Sequence, residues 1–251
     1  MSQPARIRFP TFFERACQKF AVRPWPMAGA IVCFITFTIW TILVSQWTFL
    51  PAEAVFMQVI ALTHSAELDL LTGIVNYVAA AEVTLAAMMI LSIVLWWRGF
   101  PFWRAVAPLL FLFTIPIEFA LKFGVNQPSP AETFYRETFR YSLASFQGVL
   151  HSFPSGHATR SMFMAILFWY LVRNQTSTFK VTAVRTILLA LVALSAFTKT
   201  YQGHHWPSDM IGGFLLGAIF AFLTISILDP RPDLPMDRKR QIPDSPIGEP
   251  G

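Results

Sequence analysis

Six apolar stretches, each near the length needed to cross a lipid bilayer, constrain the fold of this chain more than any other feature. A transmembrane helix needs about 20 mostly apolar residues to cross roughly 30 Å of hydrocarbon. The six stretches are residues 27–50, 79–97, 105–122, 156–172, 181–197 and 211–228. The sequence therefore predicts an all-α protein, a polytopic membrane helical bundle with six transmembrane helices.

The composition excludes several common classes of soluble protein. Charged residues make up 13% of the chain and hydrophobic residues 55%, whereas a soluble domain carries about a quarter charged residues. Two cysteines, Cys17 and Cys33, are too few for a disulfide scaffold or a cysteine-ligated zinc site. The formal net charge is +5, but the positions of the basic residues do not favour a nucleic-acid partner.

The distribution of lysine and arginine predicts the orientation in the membrane. Most of the 19 basic residues lie in the two tails and in the connections on the same side as the tails, which places both termini in the cytoplasm of a plasma or inner membrane. Residues 1–26 form an N-terminal tail whose basic and aromatic residues suit an interfacial helix, with a merely solvated tail as the alternative. Residues 27–228 form the membrane domain, and residues 229–251 form a disordered cytoplasmic tail.

Polar groups collect at the predicted outer ends of the third to sixth spans. They are Lys122, the sequence Pro-Ser-Gly-His at residues 154–157, Lys199, His205 and Asp209. Such groups are costly at membrane depth and usually mark a functional site. We therefore expect them to form one site at the outer face of the bilayer.

These groups suit the binding of a phosphate. A helix that begins at Ser155 and Gly156 directs free backbone N–H groups and its dipole at an anion, and the serine hydroxyl adds a donor. Lys122 and Lys199 supply positive charge for the phosphoryl oxygens. This interpretation requires no cofactor and no metal.

The histidines suit the transfer of a phosphoryl group. His205 and Asp209 are four residues apart, and Pro207 between them favours the first turn of a helix. Asp209 can then accept a hydrogen bond from one ring nitrogen of His205 and leave the other nitrogen free as a nucleophile. His157 is the candidate acid that protonates the leaving oxygen.

The chain thus contains three motifs in order. They are Lys122 followed after six residues by Ser129-Pro130, then Pro154-Ser155-Gly156-His157, then Thr198-Lys199 followed by His205 and Asp209. This pattern resembles the type 2 phosphatidic acid phosphatases, or lipid phosphate phosphatases, whose superfamily includes vanadium haloperoxidases. The amino-acid sequence of residues 152–160 is similar to that of the polyisoprenoid-diphosphate phosphatases within the family.

The resemblance implies a six-helix membrane phosphatase with its site on the outer face. It implies that His205 forms a phosphohistidine intermediate and that His157 is the general acid, with no metal required. The expected substrate is a lipid phosphate or diphosphate, with polyprenyl diphosphate as the first choice and a phosphatidate-like lipid as the second.

Two departures from the family pattern concern positive charge. The first-motif arginine is Ser129 here, and the third-motif arginine is Lys199. Arg160 is the predicted phosphate ligand that compensates for the missing arginine. It lies one helical turn after His157 and has no obvious acidic partner in the sequence. Arg136 and Arg140 on the long outer connection are the alternatives.

Three other functions are compatible with parts of the pattern. A weakened, non-catalytic binder of lipid phosphate would explain the two departures. A transporter would share the six spans and buried charges but lacks the paired broken helices of such folds. A haloperoxidase would share the site chemistry, but those enzymes are soluble.

Overall fold

The computed structural model describes residues 24–136, 151–175 and 177–229, and this part of the chain is helical without any strand. The described residues form nine α-helices, in the order α1 Pro24–Ser45, α2 Leu50–Ala61, α3 Ala66–Val78, α4 Ala81–Trp97, α5 Phe102–Ala105, α6 Thr114–Gly124, α7 Gly156–Leu171, α8 Thr178–Tyr201 and α9 Pro207–Leu228. Two 3₁₀ segments, Ala107–Phe113 and Glu132–Phe134, complete the described structure. The predicted all-α class is confirmed. The first described helix begins at Pro24, so residues 24–26 of the predicted N-terminal tail are helical, whereas residues 1–23, residues 230–251 and Arg140 lie outside the described ranges.

Five helical segments of the described chain are long and apolar enough to cross a membrane. They are Pro24–Ser45, Ala66–Trp97, Ala107–Gly124, Thr178–Tyr201 and Pro207–Leu228. Helix α7, the predicted fourth span, has 16 residues and is shorter than these five. The structure thus supports a helical membrane bundle, and the count of six spans stays a prediction.

Residues 51–77, between the first two predicted spans, contain helices that the apolar stretches did not predict. Pro51 lies in the first turn of α2, where its missing N–H is harmless. Ser65 caps α3, since its hydroxyl oxygen accepts a hydrogen bond from the N–H of Leu68 at 3.3 Å. Helices α2 and α3 therefore fill most of this connection.

Helix α9 lies at the centre of the bundle and packs closely against α7. A methyl group at Gly213 would clash with the carbonyl oxygen of Ser155, and one at Gly217 would clash with the carbonyl oxygen of Thr159. Glycine at both positions lets the two helix backbones approach. This close packing brings the N-terminal ends of α7 and α9, where the predicted site residues lie, to the same end of the bundle.

Phe153 anchors the turn that leads into α7. Its side chain is fully buried and stacks on Phe37 of α1 with ring centroids 6.0 Å apart. Gly212 of α9 lies against the same ring, because a Cβ atom there would clash with it. The turn before α7 is thus fixed between α1 and α9.

Candidate active site

The first turn of α9 brings His205 and Asp209 into contact. Nδ1 of His205 lies 3.3 Å from Oδ2 of Asp209, which is fully buried. The same Oδ2 accepts the backbone N–H of Trp206 at 3.0 Å. The N–H of His205 donates to the carbonyl oxygen of Lys199 at 3.3 Å, which ties the histidine to the end of α8. The four-residue spacing thus gives the contact expected from the sequence.

His205 is surrounded by positive charge. Burial, followed by the charges of Lys122 and Lys199, holds the pKa of the imidazole well below its usual range. The ring is therefore neutral at neutral pH. A neutral imidazole whose Nδ1 faces a carboxylate can present Nε2 as a nucleophile.

The two predicted phosphate-binding lysines are both buried at the site end of the bundle. Nζ of Lys122 donates to the carbonyl oxygen of Ser152 at 2.8 Å, two residues before the Pro-Ser-Gly-His turn. Lys199 lies in the last turn of α8, and its carbonyl oxygen accepts the N–H groups of His204 and His205. The ammonium group of Lys122 is thus held next to the second motif, and the backbone of Lys199 is tied to the two histidines of the third.

Ser155 and Gly156 form the start of α7 as predicted from the sequence. The Ser155 side chain is fully buried, and its hydroxyl has no hydrogen-bond partner among the described residues. An unpaired buried hydroxyl costs about 1–3 kcal/mol, so an acceptor atom on a ligand is the natural partner. A Cβ atom at Gly156 would lie 2.5 Å from Oε2 of Glu118 and 2.9 Å from Nη1 of Arg160, which explains glycine at this position.

Arg160 has an acidic partner, contrary to the sequence analysis. Its Nη1 lies 3.7 Å from Oε2 of Glu118, and both side chains are buried. The ion pair joins α6 to α7. Nε of Arg160 also donates to the carbonyl oxygen of Ala79 at 3.0 Å, and Nη2 lies 3.5 Å from Nδ1 of His157.

Arg136, an alternative cation for the missing first-motif arginine, is paired with an aspartate. Arg136 forms a two-pronged contact with Asp69, with Nη2 to Oδ2 at 2.6 Å and Nε to Oδ1 at 3.3 Å. Asp69 also accepts the hydroxyl of Tyr201 at 2.9 Å. The charge of Arg136 is therefore balanced by a carboxylate outside the predicted motifs. Ser129, which occupies the arginine position itself, has an exposed side chain.

The sequence does not predict the contacts that hold the residue next to Asp209. Glu53 of α2, buried under the start of α9, accepts hydrogen bonds from Ser208. The two residues are 155 positions apart, so no local spacing signals their contact. The one local signal was that Glu53 is the single charged residue of α2.

The chemical character of the site favours an anionic ligand. The described residues contain no group of three or more histidine, cysteine, aspartate or glutamate side chains arranged to hold a metal ion. Lysine and arginine side chains, a serine hydroxyl and the N-terminus of α7 are all donors of hydrogen bonds. Such a donor set matches phosphate oxygens.

Comparison with known proteins gives a family match over the second half of the chain. Residues 103–233 match the family model described as the PAP2 superfamily. The chain is 24% identical over 141 residues to the "Putative undecaprenyl-diphosphatase YbjG" of Escherichia coli (strain K12), covering 55% of this chain and 65% of that protein. It is 31% identical over 80 residues to the undecaprenyl-diphosphatase of Sulfolobus acidocaldarius, covering 31% of this chain and 34% of that protein. The matches thus span less than two thirds of either relative.

One solved structure has a similar fold. It is the crystal structure of the first transmembrane PAP2 type phosphatidylglycerolphosphate phosphatase from Bacillus subtilis. The TM-score is 0.66 at 18% sequence identity, and the match covers 84% of this chain and 99% of that chain. The similarity establishes the membrane-helical fold.

Proposed function

The chain belongs to the PAP2 superfamily and is an integral membrane protein, and on this premise we propose that it hydrolyses a lipid phosphate or diphosphate. The convergence of the His205–Asp209 pair with two buried lysines and the unpaired hydroxyl of Ser155 carries the proposal. Polyprenyl diphosphate is the first candidate substrate, because two relatives are named as undecaprenyl-diphosphatases. A phosphatidate-like lipid is the second.

The first chemical step forms a phosphohistidine. Nε2 of His205 attacks the terminal phosphorus, and the bond from that phosphorus to the bridging or ester oxygen breaks. His157 gives its proton to the departing oxygen, so the lipid leaves as an alcohol or as a lipid monophosphate. Asp209 stabilises the positive charge that develops on His205, while Lys122 and Lys199 stabilise the phosphoryl oxygens.

The second step releases inorganic phosphate. A water molecule attacks the phosphorus, and His157, now deprotonated, accepts a proton from that water. The bond between phosphorus and Nε2 breaks, and His205 returns to its neutral form. The N–H groups at the start of α7 and the hydroxyl of Ser155 bind the phosphoryl group throughout.

Arg160 lies beside the ring of His157. Nη2 of its guanidinium is 3.5 Å from Nδ1 of His157, so Nε2 is the nitrogen left to exchange a proton with the substrate. His157 gives that proton in its imidazolium form and takes it back from water in its neutral form.

Purified protein should release phosphate from a lipid diphosphate without added metal. The described residues contain no carboxylate cluster of the kind that magnesium prefers. In a detergent assay over a panel of lipid phosphates and diphosphates, activity should survive a chelator and be blocked by vanadate, which mimics a five-coordinate phosphoryl group. No release from any lipid of the panel would refute the proposed function, and loss on chelation with recovery by magnesium would refute the histidine mechanism.

We also propose that six spans place both tails in the cytoplasm and the site at the outer face. Residues 27–228 then form the phosphatase domain between cytoplasmic tails of residues 1–26 and 229–251. This arrangement requires α7 to cross the bilayer, since it is the predicted fourth span.

Cysteine labelling tests this topology. With Cys17 and Cys33 replaced by serine, Thr133→Cys should react with an impermeant thiol reagent added to intact cells. Asn174→Cys, at the other end of α7, should react only after the cells are opened. Both positions are exposed. The reverse pattern would invert the orientation, and reaction at both positions in intact cells would show that α7 does not cross.

A non-catalytic binder of lipid phosphate is the second candidate function. It is favoured by Ser129 and Lys199, which replace two arginines of the family pattern. Saturable binding of a lipid phosphate without any release across the panel would support it.

A further inference from the structure

Ser208, the residue that precedes Asp209, is held by contacts from three separate parts of the chain. Its backbone N–H donates to Oε1 of Glu53 at 2.5 Å, and its hydroxyl donates to Oε2 of Glu53 at 3.0 Å. Nε1 of Trp40 donates to its carbonyl oxygen at 3.0 Å. Nε2 of Gln127 lies 3.4 Å from its hydroxyl oxygen. Ser208 itself is buried, so water does not substitute for these contacts.

The contact with Glu53 satisfies a specific need of α9. The first N–H groups of a helix have no partner within the helix, and Ser208 is the second residue of α9. A carboxylate at this position pairs with such an N–H group and with the positive end of the helix dipole. Asp209 uses its own carboxylate toward His205 and Trp206. Glu53 therefore stabilises the side of the first turn that Asp209 does not reach.

The geometry of the histidine–aspartate pair depends on this turn. His205 precedes α9 by two residues and Asp209 is its third residue, so a rotation of the first turn changes the distance between Nδ1 and Oδ2. Glu53 lies on α2, outside residues 103–233 that match the family. Its side chain is 6% exposed, and it does not touch His205 in the described contacts.

We propose that Glu53 is a positioning residue that fixes the first turn of α9 and thereby aligns Asp209 with His205. This inference rests on the proposed phosphatase activity. It assigns to α2, a helix that the three motifs do not include, a role in setting the turnover number.

The test compares Glu53→Ala and Glu53→Gln with the wild type in the phosphate-release assay. Loss of the carboxylate in Glu53→Ala should lower kcat about ten-fold, because small misplacements of catalytic groups reduce rate strongly, and should leave KM unchanged. In Glu53→Gln the side-chain amide oxygen can still accept the Ser208 N–H, and the amide NH₂ group can donate to the Ser208 hydroxyl, so this variant should recover most of the kcat. Glu67→Ala, which removes an exposed acid on α3, is the matched control.

The outcomes separate the inference from the function on which it rests. No release by the wild type would refute the proposed function. An active wild type with Glu53→Ala at wild-type kcat, or with Glu53→Gln as impaired as Glu53→Ala, would overturn the role of Glu53. If Glu53→Ala is not recovered folded, Ser208→Ala removes one of the two contacts. It should lower kcat in the same direction by a smaller factor, and a wild-type kcat for Ser208→Ala would then overturn the proposal.

Discussion

Replacing His205 with alanine should lower phosphate release by at least about a thousand-fold, which corresponds to roughly 4 kcal/mol of activation free energy. The variant removes the only atom that the mechanism uses to form the covalent intermediate, and nothing else in the third motif can take its place. Initial rates of phosphate release in detergent, with the lipid that the wild type hydrolyses best, provide the measurement.

His204 supplies a matched control for this loss. It is the same residue type one position earlier, and its ring packs edge-on against Tyr135 with centroids 5.6 Å apart. His204→Ala removes that ring contact without touching the His205–Asp209 pair, so it should keep most of the activity. Equal losses in the two variants would point to damage to the segment as a whole and would contradict the nucleophile assignment.

Local spacing explains why much of the candidate site could be predicted from the sequence. His205 and Asp209 are brought together by the first turn of a helix that begins at Pro207, so their contact requires little beyond that turn. Ser155 and Gly156 likewise mark the start of α7. Each of these features depends on a few neighbouring residues, which the sequence displays directly.

Contacts between distant helices could not be predicted in the same way. Arg160 pairs with Glu118 of α6, and Glu53 of α2 pairs with Ser208 of α9. The partners lie 42 and 155 positions apart along the chain, so only the packing of the helices brings them together. Residues 153–167 around Arg160 contain no acidic residue, so the local sequence gives no signal of the ion pair.

Helix α7, the predicted fourth span, is short for a transmembrane helix. Sixteen residues of α7 rise about 24 Å, which is short of a hydrocarbon core of roughly 30 Å. The described helical segments that are long and apolar enough to cross a membrane have 18 residues or more. Helix α7 is not among them because of its length, although the apolar residues 156–172 predict a span.

The balance of positive and negative side chains at the site indicates whether another cation replaces the missing first-motif arginine. The positive charges of Lys122, Lys199 and Arg160 all lower the pKa of His205. The acids Glu118 and Asp209 lie close to these cations and offset part of their charge. The pairing of Arg160 with Glu118 means that Arg160 adds little net positive charge. The proposed lipid diphosphate substrate would bring several negative oxygens to a site with a small positive excess.

Ser129→Arg should therefore raise kcat/KM roughly 10- to 100-fold, because a charge-assisted contact contributes about 1.5–3 kcal/mol. Ser129 is exposed and follows Pro128, whose carbonyl oxygen accepts Nε1 of Trp206 at 2.6 Å. Trp206 is the neighbour of His205. A long side chain at position 129 thus starts one residue from a contact with the third motif and can extend toward the phosphate.

Ser129→Met is the control, because methionine adds comparable length without charge and should leave kcat/KM near that of the wild type. A gain confined to Ser129→Arg would show that the natural site lacks one cation. No gain in a folded Ser129→Arg variant would mean that Arg160 already serves the phosphate despite its pairing with Glu118. The double variant Glu118→Gln/Arg160→Gln, which removes both charges and avoids leaving one buried and unpaired, should then lose activity by a similar factor.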